Sequence, residues 1–154
     1  KMTPLEKIKE LLNNKKMGYK VSEHEPTPTS EDAARIRGVP LESGAKALVV
    51  KAGEKFLICV LSASKRLSTD KLCALLKVKK IRFATKEELM QLTGLVPGSI
   101  PPVGQIFNLP TLVDHTIKEQ EIINFNAGSL TTSITMKSKD YLPLFSNVTH
   151  DISE

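Results

Sequence analysis

The sequence predicts an α+β fold with a mixed or antiparallel sheet. Short β-type runs alternate with amphipathic helical runs, but the regular strand–helix–strand spacing of a parallel sheet does not recur. Two pairs of neighbouring β runs are also separated only by short glycine-containing stretches, the pattern of antiparallel hairpins. The 154 residues suit one domain with its own core, residues 1–154 forming a single unit. At 40% apolar and 25% charged residues, the composition is that of a globular chain, not a disordered one.

In order along the chain, "PLEKIKELLNNKKM" places Leu5, Ile8, Leu11 and Leu12 on one stripe, an amphipathic helix over about residues 3–16. Thr3 ahead of Pro4 is its N-cap. "GYKVSEHE" reads as a strand, ended by "PTPTS". Ser30 then caps a helix over "EDAARIRG" that stops at Gly38. "AKALVVKA" and "KFLICVLSA" are strands around an "AGE" turn. "STDKLCALLKV" is a helix capped by Ser68 or Thr69, and "KKIRFA" is a strand. Thr85 caps a further helix, "KEELMQLTG". "IFNLP" and "TLVDHT" read as short β pieces, and "EIINFNAG" with "TTSITM" as a hairpin. "SKDYLPLF" gives a last helical turn or two, and "NVTHDIS" a closing strand.

Several classes are excluded. No apolar run approaches the roughly 18–20 residues of a membrane span, and the charged N-terminus lacks the apolar stretch of a secretory signal. Cys59 and Cys73 sit in apolar segments without metal or disulfide spacing, which fits buried thiols in a reducing, cytoplasmic setting. His24, His115 and His150 have no ligand spacing to one another, so no metal is expected. Neither a nucleophile elbow nor a phosphate-binding loop of the GxxxxGK[ST] type is present.

Basic residues exceed acidic ones by 22 − 17 = 5. The excess concentrates between Lys46 and Lys86, where eleven lysines and arginines face only Glu54 and Asp70. Lys65, Arg66, Lys79, Lys80 and Arg82 lie in this run. It reads either as a polyanion-binding surface or as a solvated face.

Three segments offer chemistry. Lys46 opens a strand that is apolar on both faces, so it stands at the mouth of an interior strand. Its ammonium either snorkels to water or is held at a pocket rim, where it would meet a phosphate or carbonyl oxygen. "GLVPGSIPPVG" is stiff and uncharged. Its prolines remove N–H donors, leaving those of Gly98, Ser99 and Ile100 beside Pro101 and Pro102. Such a loop is either a rigid connection or a cradle of backbone donors. "NFNAGS" places Asn126 and Gly128 at a hairpin tip, as a turn or as part of a site. His24, in "EHEP", is either a strand-end site residue or a structural histidine.

Taken in order, "EHEPTPTSEDAA", the Lys46 strand "KALVV", "KRLSTDKLCALLKVKKIRFATKEELMQLTG", the G-x-x-x-P sequence of Gly98 to Pro102 and "FNAGSLTTSITMKSKDYL" resemble the YbaK family of aminoacyl-tRNA editing domains. This family occurs within, or apart from, prolyl-tRNA synthetase. The resemblance covers roughly His24 to Leu142. It implies a largely antiparallel, barrel-like sheet surrounded by helices. It also implies a cofactor-free and metal-independent deacylase that hydrolyses the ester of a wrong small amino acid on tRNA. Alanine on tRNA(Pro) is the first expectation, with cysteine or another small residue next.

Lys46 and Gly98 would carry the reaction. Ser99, Ile100, Pro101, Pro102, His24, Asn126 and Gly128 would bind substrate, and the five basic residues named above would bind tRNA. Prolyl-tRNA synthetase or a multi-synthetase complex would be the protein partner. Ala47 after Lys46, and the lack of His or Asp in "NAGSLTTS", depart from some relatives and bear on the substrate rather than the reaction. The alternatives are a non-catalytic module that binds tRNA or a synthetase, and a hydrolase of free small esters.

Overall fold

The computed structural model describes residues 2–154. Helix α1 (Pro4–Asn14) starts at a capping box: Thr3 Oγ1 accepts the Glu6 N–H at 3.1 Å, and Glu6 Oε1 accepts the Thr3 N–H at 2.9 Å. Its Ile8 and Leu12, one turn apart, are fully buried. After β1 (Tyr19–Glu23), α2 (Ser30–Arg37) is capped by Thr29 rather than Ser30, because the Thr29 hydroxyl accepts the Asp32 N–H at 3.0 Å. Gly38 ends α2 in the left-handed conformation.

β2 (Ala45–Ala52) and β3 (Lys55–Ser62) form an antiparallel hairpin. Helix α3 (Thr69–Leu76), capped by Ser68, leads to β4 (Ile81–Phe83) and then to α4 (Lys86–Thr93), which opens on a second capping box between Thr85 and Glu88. β5 (Thr111–Val113), α5 (His115–Lys118), β6 (Ile122–Asn126), β7 (Thr132–Lys137) and α6 (Ser138–Tyr141) complete the named elements.

The strands make two sheets. One has the order β1-β7-β6 and is antiparallel; the other has the order β4-β2-β3-β5, with only β3 and β5 parallel. The α+β class with a largely antiparallel sheet is therefore as the sequence predicts, but the sheet is not closed into a barrel. The outer strands β4 and β5 have three residues each, and among the described residues no ladder joins them to the other sheet.

The alternation along β2 and β3 explains why both faces are apolar. Val49, Ile58 and Val60 pack into one core with Phe125, Ile134 and Tyr141. Val50, Leu57, Cys59 and Leu61 pack into a second core with Leu72 and Ile152. Burial pushes the Cys59 thiol up to about 12, so it is an inert core group.

A parallel bridge between Gly44 and Asn124 links the two sheets. Two residues further along each chain stand Lys46 and Asn126, so this seam sets them side by side.

Three of the β segments expected from the sequence also differ. "IFNLP" is not β: Gly104–Phe107 forms a 3-10 turn, closed by the Leu109 N–H on Gly104 O and by the Gly104 N–H on Thr111 Oγ1. In "TLVDHT" only Thr111–Val113 is a strand, because Asp114 caps α5. "NVTHDIS" forms no strand and makes only single bridges, His150 to Asp114 and Ser153 to Leu67.

Asp114 anchors that terminal segment. It is fully buried and accepts the Ile152 N–H at 2.8 Å, the Ser153 hydroxyl at 2.8 Å and the Thr116 hydroxyl at 2.5 Å. Burial raises its pKa, but the hydrogen bonds from Thr116, Ile152 and Ser153 outweigh that and leave it below the usual value. The unfolded carboxylate titrates near 3.9, so its contribution is full above that pH and is lost as pH falls through the lower folded value. Asp114→Ala should therefore lower Tm at pH 7 and lose its deficit relative to wild type in strong acid. Thermal melts across pH 2–7 read this directly.

Candidate active site

The cavity at the seam has a volume of about 160 Å³. Lys46 from β2, Arg37 from the last turn of α2, Thr27, Asn126 from β6, and Gly98 and Ile100 from the loop after α4 all line it. Among the described residues no Asp or Glu lines it. Neither Lys46 nor Arg37 has a carboxylate within ion-pair distance among those residues. Burial lowers the pKa of Lys46, and the charge of Glu31 opposes the shift. Burial alone lowers that of Arg37, to about 10.

The G-x-x-x-P loop is held by its carbonyls. Asn126 Nδ2 donates to Gly98 O at 2.7 Å, the Gly128 N–H to Ser99 O at 3.0 Å, and the Tyr141 hydroxyl to Pro102 O at 2.6 Å. The Val103 N–H closes a tight turn on Pro101 O at 2.8 Å. Of the three N–H donors expected from the sequence, that of Ser99 is spent on Val96 O at 3.2 Å, and the buried Ser99 hydroxyl also bonds Val96 O. The N–H groups of Gly98 and Ile100 make no hydrogen bond among the described residues. Pinning the carbonyls thus leaves two backbone donors on a stiff segment at the cavity wall. Gly98 holds φ at +85°, a value glycine adopts without cost.

Asn126 is itself oriented from behind. Arg37 Nη2 donates to Asn126 Oδ1 at 2.8 Å and Arg37 Nε to Ser133 Oγ at 2.8 Å. Because arginine only donates, Asn126 must turn its amide nitrogen to Gly98. With His24 Nδ1–H donating to Glu25 O at 2.8 Å, His24 Nε2 accepts a hydrogen bond from the Ser133 hydroxyl at 2.6 Å.

The sequence-predicted residues therefore divide. Lys46, Gly98, Ile100 and Asn126 meet at the cavity. Ser99, Pro101, Pro102 and Gly128 buttress the loop, and a Cβ on Gly128 would stand 3.2 Å from Pro4 of α1. His24 ends the Arg37–Ser133 chain and does not line the cavity.

The five basic residues also separate. Lys65 and Arg66 follow the end of β3 that pairs with Ala45, do not line the cavity, and Arg66 lies 3.6 Å from Glu154. Lys79, Lys80 and Arg82 line a second groove at the opposite end of β2, roughly 20 Å away at strand rise. Arg82 there is clamped by Glu88 at 2.8 and 3.0 Å. Sequence reasoning missed Arg37, Thr27, Ser133 and Tyr141. Only Arg37 carries a charge that could have drawn notice, and Arg35 two residues earlier looks the same in sequence but pairs with Asp32 at the surface.

The fold is that of the aminoacyl-tRNA editing domains. The chain belongs to the family described as the aminoacyl-tRNA editing domain, whose model matches residues 24–144. It is 32% identical over 137 residues to the multifunctional Ser/Thr-tRNA deacylase ProXp-y of Escherichia coli K12, covering 86% of this chain and 82% of that protein. It is 35% identical over 122 residues to a proline–tRNA ligase of Sulfurihydrogenibium, covering 79% of this chain but only 20% of the ligase. A solved structure described as a candidate trans-editing enzyme for prolyl tRNA synthetase superposes with a TM-score of 0.86 at 26% identity, over 100% of this chain and 99% of the other.

Proposed function

We propose that the chain hydrolyses the ester between a wrongly attached small amino acid and the terminal ribose of a tRNA, tRNA(Pro) being the first candidate. The observation that carries this reading is an acid-free cavity walled by Lys46 and by the free N–H groups of a carbonyl-pinned loop. Water attacks the ester carbonyl, and negative charge develops on the carbonyl oxygen. The N–H groups of Gly98 and Ile100, with the Lys46 ammonium, favour that charge over the neutral ground state. The intermediate collapses to a free amino acid and a ribose oxygen, which regains its hydroxyl with a proton from the water. An aminoacyl ester is already activated, so holding it still beside water supplies much of the rate.

A cavity of about 160 Å³ with backbone-fixed walls admits a small side chain and resists a larger one, the size-sieve principle of editing sites. Alanine is the expectation that the family resemblance implies. The name of the E. coli relative sets serine and threonine beside it. Prolyl-tRNA synthetase is the fitting protein partner and the cytoplasm the fitting place, and His24 serves the site indirectly, as the far end of the Ser133–Arg37 chain that orients Asn126.

The test is a panel of tRNAs bearing alanine, cysteine, serine, threonine or proline, with amino acid and tRNA varied separately. Release of the small residues at least about tenfold faster than proline is expected. If every ester survives as long as it does in buffer, the hydrolase reading fails; binding of tRNA without release would instead favour a non-catalytic module.

A further inference from the structure

Arg37 is the charged group that this mechanism does not use. Its guanidinium is half-buried and lines the same cavity as Lys46. Taking a cation out of water is costly unless a counter-charge or a full set of acceptors meets it. Two neutral acceptors do so here, Asn126 Oδ1 and Ser133 Oγ, each at 2.8 Å. They occupy Nε and one hydrogen of Nη2, so of the five N–H donors of a guanidinium three remain without a protein acceptor among the described residues. The negative end of α2 compensates the charge only in part. The nearest acids of α2 are otherwise engaged or exposed: Asp32 pairs with Arg35, and Glu31 lies toward Lys46. The result is two cations at one cavity whose described lining holds no carboxylate.

Resting on the deacylase reading, we propose that Arg37 is a phosphate subsite, taking the phosphodiester that adjoins the ester-bearing nucleoside. A guanidinium fixed along one edge by Asn126 and Ser133 presents its other edge in a set direction, the arrangement that suits a phosphate's paired oxygens. Lys46, a point charge, serves the carbonyl beside it. The same guanidinium orients Asn126 and through it Gly98, so an engaged phosphate and an ordered loop would reinforce each other. This division accounts for a charge placed where an apolar residue would have cost less.

The test compares two substrates bearing the same small amino acid, a full aminoacyl-tRNA and an aminoacyl-adenosine that lacks the phosphodiester. Arg37→Gln keeps hydrogen-bond capacity and removes the charge. Its kcat/KM should fall on the tRNA by at least tenfold more than on the aminoacyl-adenosine. On the tRNA, the plot of log kcat/KM against log salt should flatten by about one phosphate contact. Equal losses on both substrates overturn the proposal and leave Arg37 as a support for Asn126. If Arg37→Gln melts below the assay temperature, Arg37→Lys carries the same comparison, because it keeps the charge but not the paired donors. Selective loss on the tRNA again supports the subsite, and equal loss again overturns it. A wild-type protein inactive on both substrates defeats the deacylase reading itself and is thereby told apart.

Discussion

Gly98→Val is expected to cost at least about 100-fold in deacylation, the scale of losing a backbone oxyanion donor, while the domain remains folded. The reason is backbone conformation, not space. A Cβ built on Gly98 would meet only Leu130 Cδ2, at 3.5 Å, an ordinary contact. Its φ of +85° is the difficulty, since β-branched residues avoid that region and strain of this kind costs about 1–3 kcal/mol. The chain relieves the strain by rotating the peptide units on either side of Gly98. Those units carry the Gly98 N–H, the proposed donor to the ester carbonyl, and the Gly98 carbonyl, held by Asn126.

Gly98→Ala separates the two effects. It fits the space and strains the backbone less, so it should lie between wild type and valine in activity. Circular dichroism and thermal melting establish that the fold survives, and single-turnover release of amino acid measures the loss. A folded Gly98→Val that deacylates at the wild-type rate reduces the loop to a connector.

What the sequence made legible follows from which interactions are local. Capping boxes, glycine stops and two-faced apolar strands are written within a few residues, so α1, α4, β2 and β3 are readable. The G-x-x-x-P stiffness is equally local. Elements fixed by distant partners are not: "IFNLP" has strand-like residues, yet Thr111 and Leu109 fold it into a turn, and "NVTHDIS" is tied down by Asp114 and Leu67 rather than by a ladder.

The site shows the same division. Lys46 and Asn126 are adjacent because of one bridge between two sheets, 80 residues apart in sequence (124 − 44). Arg37 becomes distinct from Arg35 only when Asn126 and Ser133 arrive from β6 and β7. The basic run is continuous in sequence, but β2 carries its members to opposite ends.

Lys46→Met should abolish most activity and make the protein more stable at neutral pH. Burial lowers the Lys46 pKa, with Glu31 opposing, so the folded state holds the proton less tightly than the unfolded chain does. Between the lowered folded value and the unfolded value near 10.4, the unfolded state binds more protons, and stability therefore rises with pH across that window. Below the window the folded protein bears the full cost of a desolvated ammonium. Methionine keeps much of the length and apolar stem without that charge, so Tm at pH 7 should rise, while kcat/KM falls by about 100-fold or more as the carbonyl loses its cation. Lys46→Arg keeps a cation that does not titrate in this range but changes its shape. With spontaneous ester hydrolysis subtracted, wild-type activity should decline at alkaline pH before the usual lysine range, and whatever activity Lys46→Arg retains should not. A stabilised but inactive Lys46→Met would mark the lysine as kept for chemistry against the interest of the fold. A destabilised variant with normal turnover would instead make it a structural stem and remove the central charge from the mechanism.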